Sequence, residues 1–208
     1  MLRIVLIRHG STDLIGRVLY GRMPGVHLSV EGRKQVLALT RALVTRYEFA
    51  EVVSSPMERA LETARPIAEA ALLDIAIDDA FNEIDFGAWI GKPFAELDQS
   101  DDWRNYCRHR ATASPPGGES MMDVQSRAWK GIAAMIDRHR ADRDATIAVV
   151  THGDVIRAIL MLALGMSIDH IHRLEAAPAS LSELLIHGDE VQVRTMNETF
   201  PTTGISDI

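Results

Sequence analysis

Cysteine is nearly absent: Cys107 is the only one in 208 residues. That excludes an internal disulfide and a cysteine-built zinc site, and it makes a reducing compartment, the cytoplasm, the expected setting. Long apolar runs are missing too. The opening MLRIVLI is far too short for a signal-peptide core or a membrane span, and no later stretch reaches the required length, so no membrane partner is expected. Nor is there an excess of basic charge. Lys and Arg total 22 against 29 Asp and Glu, a formal net charge of -7, which argues against the broad basic face of a general nucleic-acid binder. Repeats and low-complexity tracts are also lacking. What is present, 47% hydrophobic and 25% charged residues, is an ordinary globular composition, and the length suits one domain over residues 1–208.

Leu2, Ile4, Val5, Leu6 and Ile7 form an almost unbroken aliphatic run, the pattern of a strand buried on both faces of a parallel sheet. It runs directly into Arg8-His9-Gly10-Ser11-Thr12. Val36, Leu39, Leu43 and Tyr47 recur at helical spacing after Gly32, read as a turn, which predicts a helix over about 31–47. Glu51 to Ser54 reads as a short strand, and SSPMERALETA as a helix start with Ser55 as N-cap, Pro56 at the first position and Glu58 three residues after the cap. Strand followed by capped helix is the βαβ pattern of a parallel sheet. Ile75 to Asp78 is a further candidate strand, and FNEIDFGAWIGK an irregular segment. Residues 92–118 lack periodicity and end in the loop ASPPGG, so a small lid-like insertion is expected there. Ser120 caps a helix carrying Val124, Ala128, Ile132, Met135 and Ile136 on one face. Thr146 to Val150 is a second buried strand, followed by the helix DVIRAILMLAL. LSELLIHG and EVQVRTM read as paired strands about a Gly-Asp turn, and PTTGISDI as a loose tail.

IVLIRHG and AVVTHGD share one design: a buried strand, then His-Gly, then a turn. Two strands ending this way are hard to explain by packing, because each buried histidine needs its own hydrogen-bond partners. They point to a shared site at the carboxyl edge of the sheet, where α/β proteins bind ligands. Arg59, about one turn inside a helix whose amino end faces the same edge, adds a charge suited to an anion. Singly, each residue has a bland explanation: Arg59 paired with Glu58 or Glu62, Glu83 as a solvated acid, His152 as a core histidine. All of them together do not.

Taken in order, LIRHGST, SSPMERALETA, NEIDFG, PGGES and VVTHGDVIRAIL resemble the motifs of the histidine phosphatase superfamily, also called the phosphoglycerate mutase-like family. The resemblance implies a three-layer α/β/α sandwich with a mostly parallel central sheet, and phosphoryl transfer through a phosphohistidine without a cofactor or metal. It implies His9 as nucleophile, Arg8, Arg59 and His152 as holders of the phosphoryl oxygens, and Glu83 as proton donor to the leaving oxygen. Ser11, Thr12, Arg22 and Gly153 complete the expected substrate-binding set. These residue types suit the chemistry: an attacking imidazole must be neutral with its other nitrogen fixed, and guanidinium forks match charge spread over three oxygens. Asp85 is the rival acid. In an extended segment it points the same way as Glu83, so periodicity cannot choose between them, and the resemblance favours Glu83.

The sequence also departs from the family pattern. Ser11 stands where many members have Glu, Leu14-Ile15 where an asparagine is expected, and Ile90 where a glutamate follows the tryptophan. These changes fall on the leaving-group side, with Arg17 and Arg22 as candidate extra contacts. The short span between Glu83 and His152 favours hydrolysis over mutase chemistry, and small phosphorylated metabolites are the expected partners. Two other readings compete. A non-catalytic phospholigand binder needs the arginines but not two histidines and an acid. A metal site at Asp169-His170-Ile171-His172, with both imidazoles on one strand face, lacks any accompanying ligand motif.

Overall fold

The computed structural model describes residues 1–140, 144–188 and 190–203. A six-stranded sheet forms its centre, in the order β3-β2-β4-β1-β5-β6. β1 (Leu2–Arg8), β2 (Glu51–Ser54), β3 (Ile75–Ile77) and β4 (Thr146–Thr151) are parallel, while β5 (Leu181–His187) runs against β1 and pairs antiparallel with β6 (Glu190–Glu198). The mixed α/β architecture follows from the strands themselves. Ile4 and Leu6 of β1 join Ile147 and Val149 of β4 in one core, against Val124, Ala128 and Ile132 of α5 (Met121–Arg138) and Ile156 and Ile159 of α6 (Gly153–Ala163). The alternate residues Val5, Ile7, Ala148 and Val150 face Leu39 and Leu43 of α1 (Val30–Arg46) and Ala60, Ala64 and Ile67 of α2 (Glu58–Ala71). Two-sided burial explains why these strands read as continuous apolar runs rather than alternating ones.

Several local expectations need correction. α1 starts at Val30 with Ser29 as N-cap, whose side chain accepts from the Gly32 amide. Gly32 is thus inside the helix, not a turn before it. Its missing side chain serves packing: a Cβ there would lie 2.0 Å from the Ser11 carbonyl oxygen, and a Cβ on Gly10 would lie 2.6 Å from the Gly32 oxygen. The two glycines let the loop after β1 cross the first turn of α1 in backbone contact. α2 starts at Glu58, with Met57 in the cap position and no side-chain cap bond. Ser55 lies two residues before the cap position; its hydroxyl accepts from the Met57 amide only at 3.4 Å and makes its shorter bond with His152, as described below. Ser120 does cap α5, in a reciprocal capping box with Asp123.

The segment 79–91 is irregular, with 3₁₀ turns at Asp79–Phe81 and Gly87–Trp89. Residues 92–118 hold two short helices, α3 (Phe94–Leu97) and α4 (Asp101–Arg108). Leu97, Trp103 and Tyr106 from these helices join the same core as α5 and α6, so aromatic packing organises a stretch that has no sequence periodicity. Residues 168–173 form a 3₁₀ segment, not a strand, so His170 and His172 do not share a strand face. The Gly-Asp turn between β5 and β6 includes Asp189, and the tail includes 204–208. Both of these lie outside the described residues.

Candidate active site

The register of the sheet brings the two His-Gly motifs together. Arg8 pairs with Thr151 across β1 and β4, and the His9 amide donates to the Thr151 carbonyl at 3.0 Å. Both strands end at the same level, and the two imidazole centroids lie 5.2 Å apart. His9 is 1% and His152 0% exposed. The His9 Nδ1 sits 2.7 Å from the Gly10 carbonyl oxygen, which can only accept, so Nδ1 carries the proton and Nε2 keeps its lone pair. Burial, then the charges of Arg59 and Arg8, hold the His9 pKa well below the ordinary 6.5, so the ring is neutral.

Arg59 lies over the Nε2 side of His9. It is fully buried on the first turn of α2; its Nε donates to His9 Nε2 at 3.3 Å and one Nη donates to the Gly21 carbonyl at 2.7 Å. The same Nη is 3.3 Å from His152 Nδ1, and the guanidinium stacks 4.8 Å above the Tyr20 ring. His152 turns its other nitrogen to Ser55, with Nε2 2.7 Å from the hydroxyl. Burial, then Arg59 and His9, keep His152 neutral as well. Arg8 donates to the Ala176 carbonyl at 2.6 Å. Its side chain crosses the start of α6, where a Cβ on Gly153 would approach its Nε to 3.3 Å.

Among the described residues, three buried donors from the end of β1, the loop after it and Arg59 have no protein partner: Arg8 Nε, Arg59 Nη1 and the Thr12 hydroxyl. Leaving such groups unsatisfied costs about 1–3 kcal/mol each, a cost that an incoming anion removes.

Glu83 is 9% exposed, and its Oε2 lies 3.6 Å from His152 Nδ1. Burial, then the negative charge of Asp154, raises its pKa to about 7. Asp85 is used differently: its carboxylate accepts from the Gly87 amide at 2.9 Å and shapes the turn. Arg22 Nε and Arg127 Nη2 both donate to the Glu83 carbonyl, at 2.6 and 3.1 Å, and both pair with Glu119, at 3.0 and 2.6 Å. Arg22 is thus committed to holding the Glu83 backbone, and Glu119 of PGGES anchors both arginines.

Ser11 contributes backbone groups, its amide donating to Gln35 Oε1 and its carbonyl accepting from Ser29. Arg17 is exposed. Ser55 and Thr63 were not legible as site residues. Thr63 Oγ1 accepts from the Gly10 amide at 3.1 Å and donates to the Arg59 carbonyl at 2.8 Å, tying nucleophile loop to arginine helix. The available signal was positional: Ser55 follows a strand that ends at the same sheet edge, and Thr63 lies one helical turn beyond Arg59. Among the described residues no group of three or more His, Cys, Asp or Glu is placed to hold a metal ion. Asp169 instead accepts from the Ala111 amide at 2.8 Å. No helix among them is long and apolar enough to cross a membrane.

This geometry has relatives. A bifunctional protein of Mycobacterium tuberculosis is 37% identical over 199 residues, 95% of this chain but 54% of that protein, so the chain spans about half the length of this relative. Phosphoserine phosphatase 1 of Hydrogenobacter thermophilus is 30% identical over 194 residues, 91% of this chain and 88% of that one. The native structure of mycobacterial glucosyl-3-phosphoglycerate phosphatase superposes with a TM-score of 0.85 at 28% identity, covering 95% of this chain and 99% of the other. The family model for the histidine phosphatase superfamily, branch 1, matches residues 4–199. The chain belongs to the histidine phosphatase superfamily.

Proposed function

We propose that the protein hydrolyses small phosphate monoesters through a phosphohistidine on His9. The observation that carries this reading is the state of His9: Nδ1 is locked on the Gly10 carbonyl, and Nε2 faces Arg59, whose Nη1 has no partner among the described residues. Named phosphatases among the relatives support the same reading.

In the first step Nε2 attacks phosphorus, the bond to the ester oxygen breaks, and Glu83 gives its proton to the leaving alcohol. Arg8, Arg59 and the Thr12 hydroxyl hold the equatorial oxygens, where preorganised donors count most because charge is spread there in the transition state. His152 sits within reach of the same group and takes up a proton when the dianion arrives, donating through Nδ1. In the second step water attacks phosphorus, Glu83 takes the water's proton, and the N–P bond breaks to restore neutral His9 and a protonated acid. An ionised Glu83 cannot start the cycle, so its raised pKa matches its task.

The test is rapid quench with a reactive phosphate ester into alkali, which preserves a phosphoramidate, followed by peptide mass analysis and phosphate measurement. Transient phosphate on the His9 peptide with steady phosphate release is expected. Steady release with no label on His9 refutes the covalent route, and the absence of both refutes the enzyme.

A further inference from the structure

Next to Arg8, Glu83 and Gly153 a cleft of about 210 Å³ opens outward. One side of its lining is apolar, formed by Ile15, Val18, Leu19, Phe86 and Phe94, and the other carries Arg8, Glu83, Asp154 and Arg157. The wall is preformed. The Leu19 amide donates to the Lys92 carbonyl and the Gly91 amide to the Leu19 carbonyl, both at 2.9 Å, the Phe94 amide reaches the Arg17 carbonyl at 3.1 Å, and Val18 bridges Pro93. The Phe94 ring packs against Trp103, at 6.1 Å between centroids, so the 92–118 segment sets the position of this wall.

The charged groups of the cleft are already committed. Arg157 donates to the Asp154 carboxylate at 2.5 Å and to the Gly153 carbonyl at 3.2 Å, while Arg8 is the phosphoryl clamp. Among the described residues lining the cleft the cations are Arg8 and Arg157; with the free Nε of Arg8 assigned to the phosphoryl group and Arg157 held by Asp154, neither is spare for a carboxylate or a second phosphate on the leaving group. An anion there would meet the Asp154–Arg157 pair and displace it at a cost. An uncharged group of suitable size would instead gain apolar contact. An apolar cavity of about 150 Å³ holds a benzene ring, so this cleft has room for one ring beside the ester oxygen.

We propose that this cleft selects phosphate esters whose leaving alcohol has an apolar or ring-shaped body and carries no second anionic group. The proposal rests on the phosphatase reading above and names its substrate class. It places the choice of substrate in the contact between the 15–19 loop and the 92–118 segment, and in the Asp154–Arg157 pair that cancels the cleft's spare cation.

Binding of two non-hydrolysable phosphonates tests it without turnover: benzylphosphonate and 3-phosphonopropionate, each displaced by inorganic phosphate and measured by calorimetry. Benzylphosphonate should bind at least tenfold tighter, the discrimination typical of an apolar pocket. Phe94→Ala should reduce that preference to within about threefold, and Phe94→Leu should retain most of it. Asp154→Asn, which unpairs Arg157, should raise affinity for 3-phosphonopropionate at least fivefold, on the scale of one charge-assisted bond. Equal or reversed preference, no binding of either compound, or Asp154→Asn leaving the carboxylated compound unimproved overturns the proposal. Labelling of His9 by acetyl phosphate separates the two readings. A labelled protein with reversed preference sinks the cleft assignment alone, whereas an unlabelled protein that prefers benzylphosphonate sinks only the catalytic reading.

Discussion

Replacing Glu83 by Gln should make the protein less active and more stable, and the size of the gain follows from the acid's surroundings. Burial, then Asp154, raises this carboxyl from an ordinary 4.5 to about 7. The folded chain therefore holds a proton that the unfolded chain has released between those two values, so stability falls as pH rises from about 4.5 and levels off above about 7. At 1.36 kcal/mol per pH unit, the deficit above pH 7 is at most about 3 kcal/mol. Gln keeps the oxygen that accepts from the Ile84 amide at 3.0 Å and cannot ionise, so the deficit disappears. Urea unfolding of both proteins at pH 5 and pH 8 is the assay. The variant should exceed the parent by up to about 3 kcal/mol at pH 8, about 6–12 °C in Tm for a chain this long, and by much less at pH 5. The paired difference matters because carboxylates that do not face Glu83, all but Asp154, contribute equally to both proteins. A variant less stable than the parent at pH 8, or a difference independent of pH, would refute the argument that Glu83 is a strained acid held for its proton.

The same group sets the activity profile. With Glu83 as donor, kcat/KM should fall about tenfold per pH unit above about pH 7, and Glu83→Gln should abolish that limb while lowering kcat about 10²–10⁴-fold on an unactivated ester, read from initial rates. Asp154→Asn should move the limb to lower pH, because Asp154 is one cause of the raised value. Ser55→Ala removes the partner of His152 Nε2 and should destabilise by about 1–3 kcal/mol with kcat reduced about tenfold, on the order of one lost hydrogen bond to a charged ring, and Ser55→Thr should restore most of the rate. Gly32→Ala replaces a poor helix former by the best one. It should nevertheless destabilise, by about 2 kcal/mol or more in urea unfolding, because the new Cβ falls 2.0 Å from the Ser11 carbonyl oxygen. Gly153→Ala, whose Cβ meets the Arg8 side chain at 3.3 Å, should raise KM while leaving the melting temperature nearly unchanged.

By itself the sequence determined the layers and the family. Uninterrupted aliphatic runs at Ile4–Ile7 and Ile147–Val150 are the mark of strands buried between two apolar faces, so they pointed to a covered sheet. His-Gly after each run, with Arg59 behind a strand end, pointed to a shared anion site before any contact was known, and the resemblance to the family is what proposed His9 as its nucleophile. Periodicity was informative wherever one face of an element is buried and the other wet, as along α1 and α5. It was silent over 92–118, where α3 and α4 are short and are held by aromatic packing among Trp89, Trp103 and Tyr106. Local rules misled where a side chain had a better partner far away in the chain. Ser55 looks like a helix cap and serves His152, 97 positions on; Gly32 looks like a turn and is the space through which Ser11 passes. The choice between Glu83 and Asp85 was likewise beyond any pattern of spacing, since both lie on one side of an extended segment. The resemblance favoured Glu83, and the tertiary structure gives the two acids different surroundings, burying one against His152 and offering the other the Gly87 amide. Secondary structure depends on neighbours in sequence and can be read there. Proton states and hydrogen-bond partners depend on neighbours in space, and those exist only once the sheet has set β1, β2 and β4 side by side.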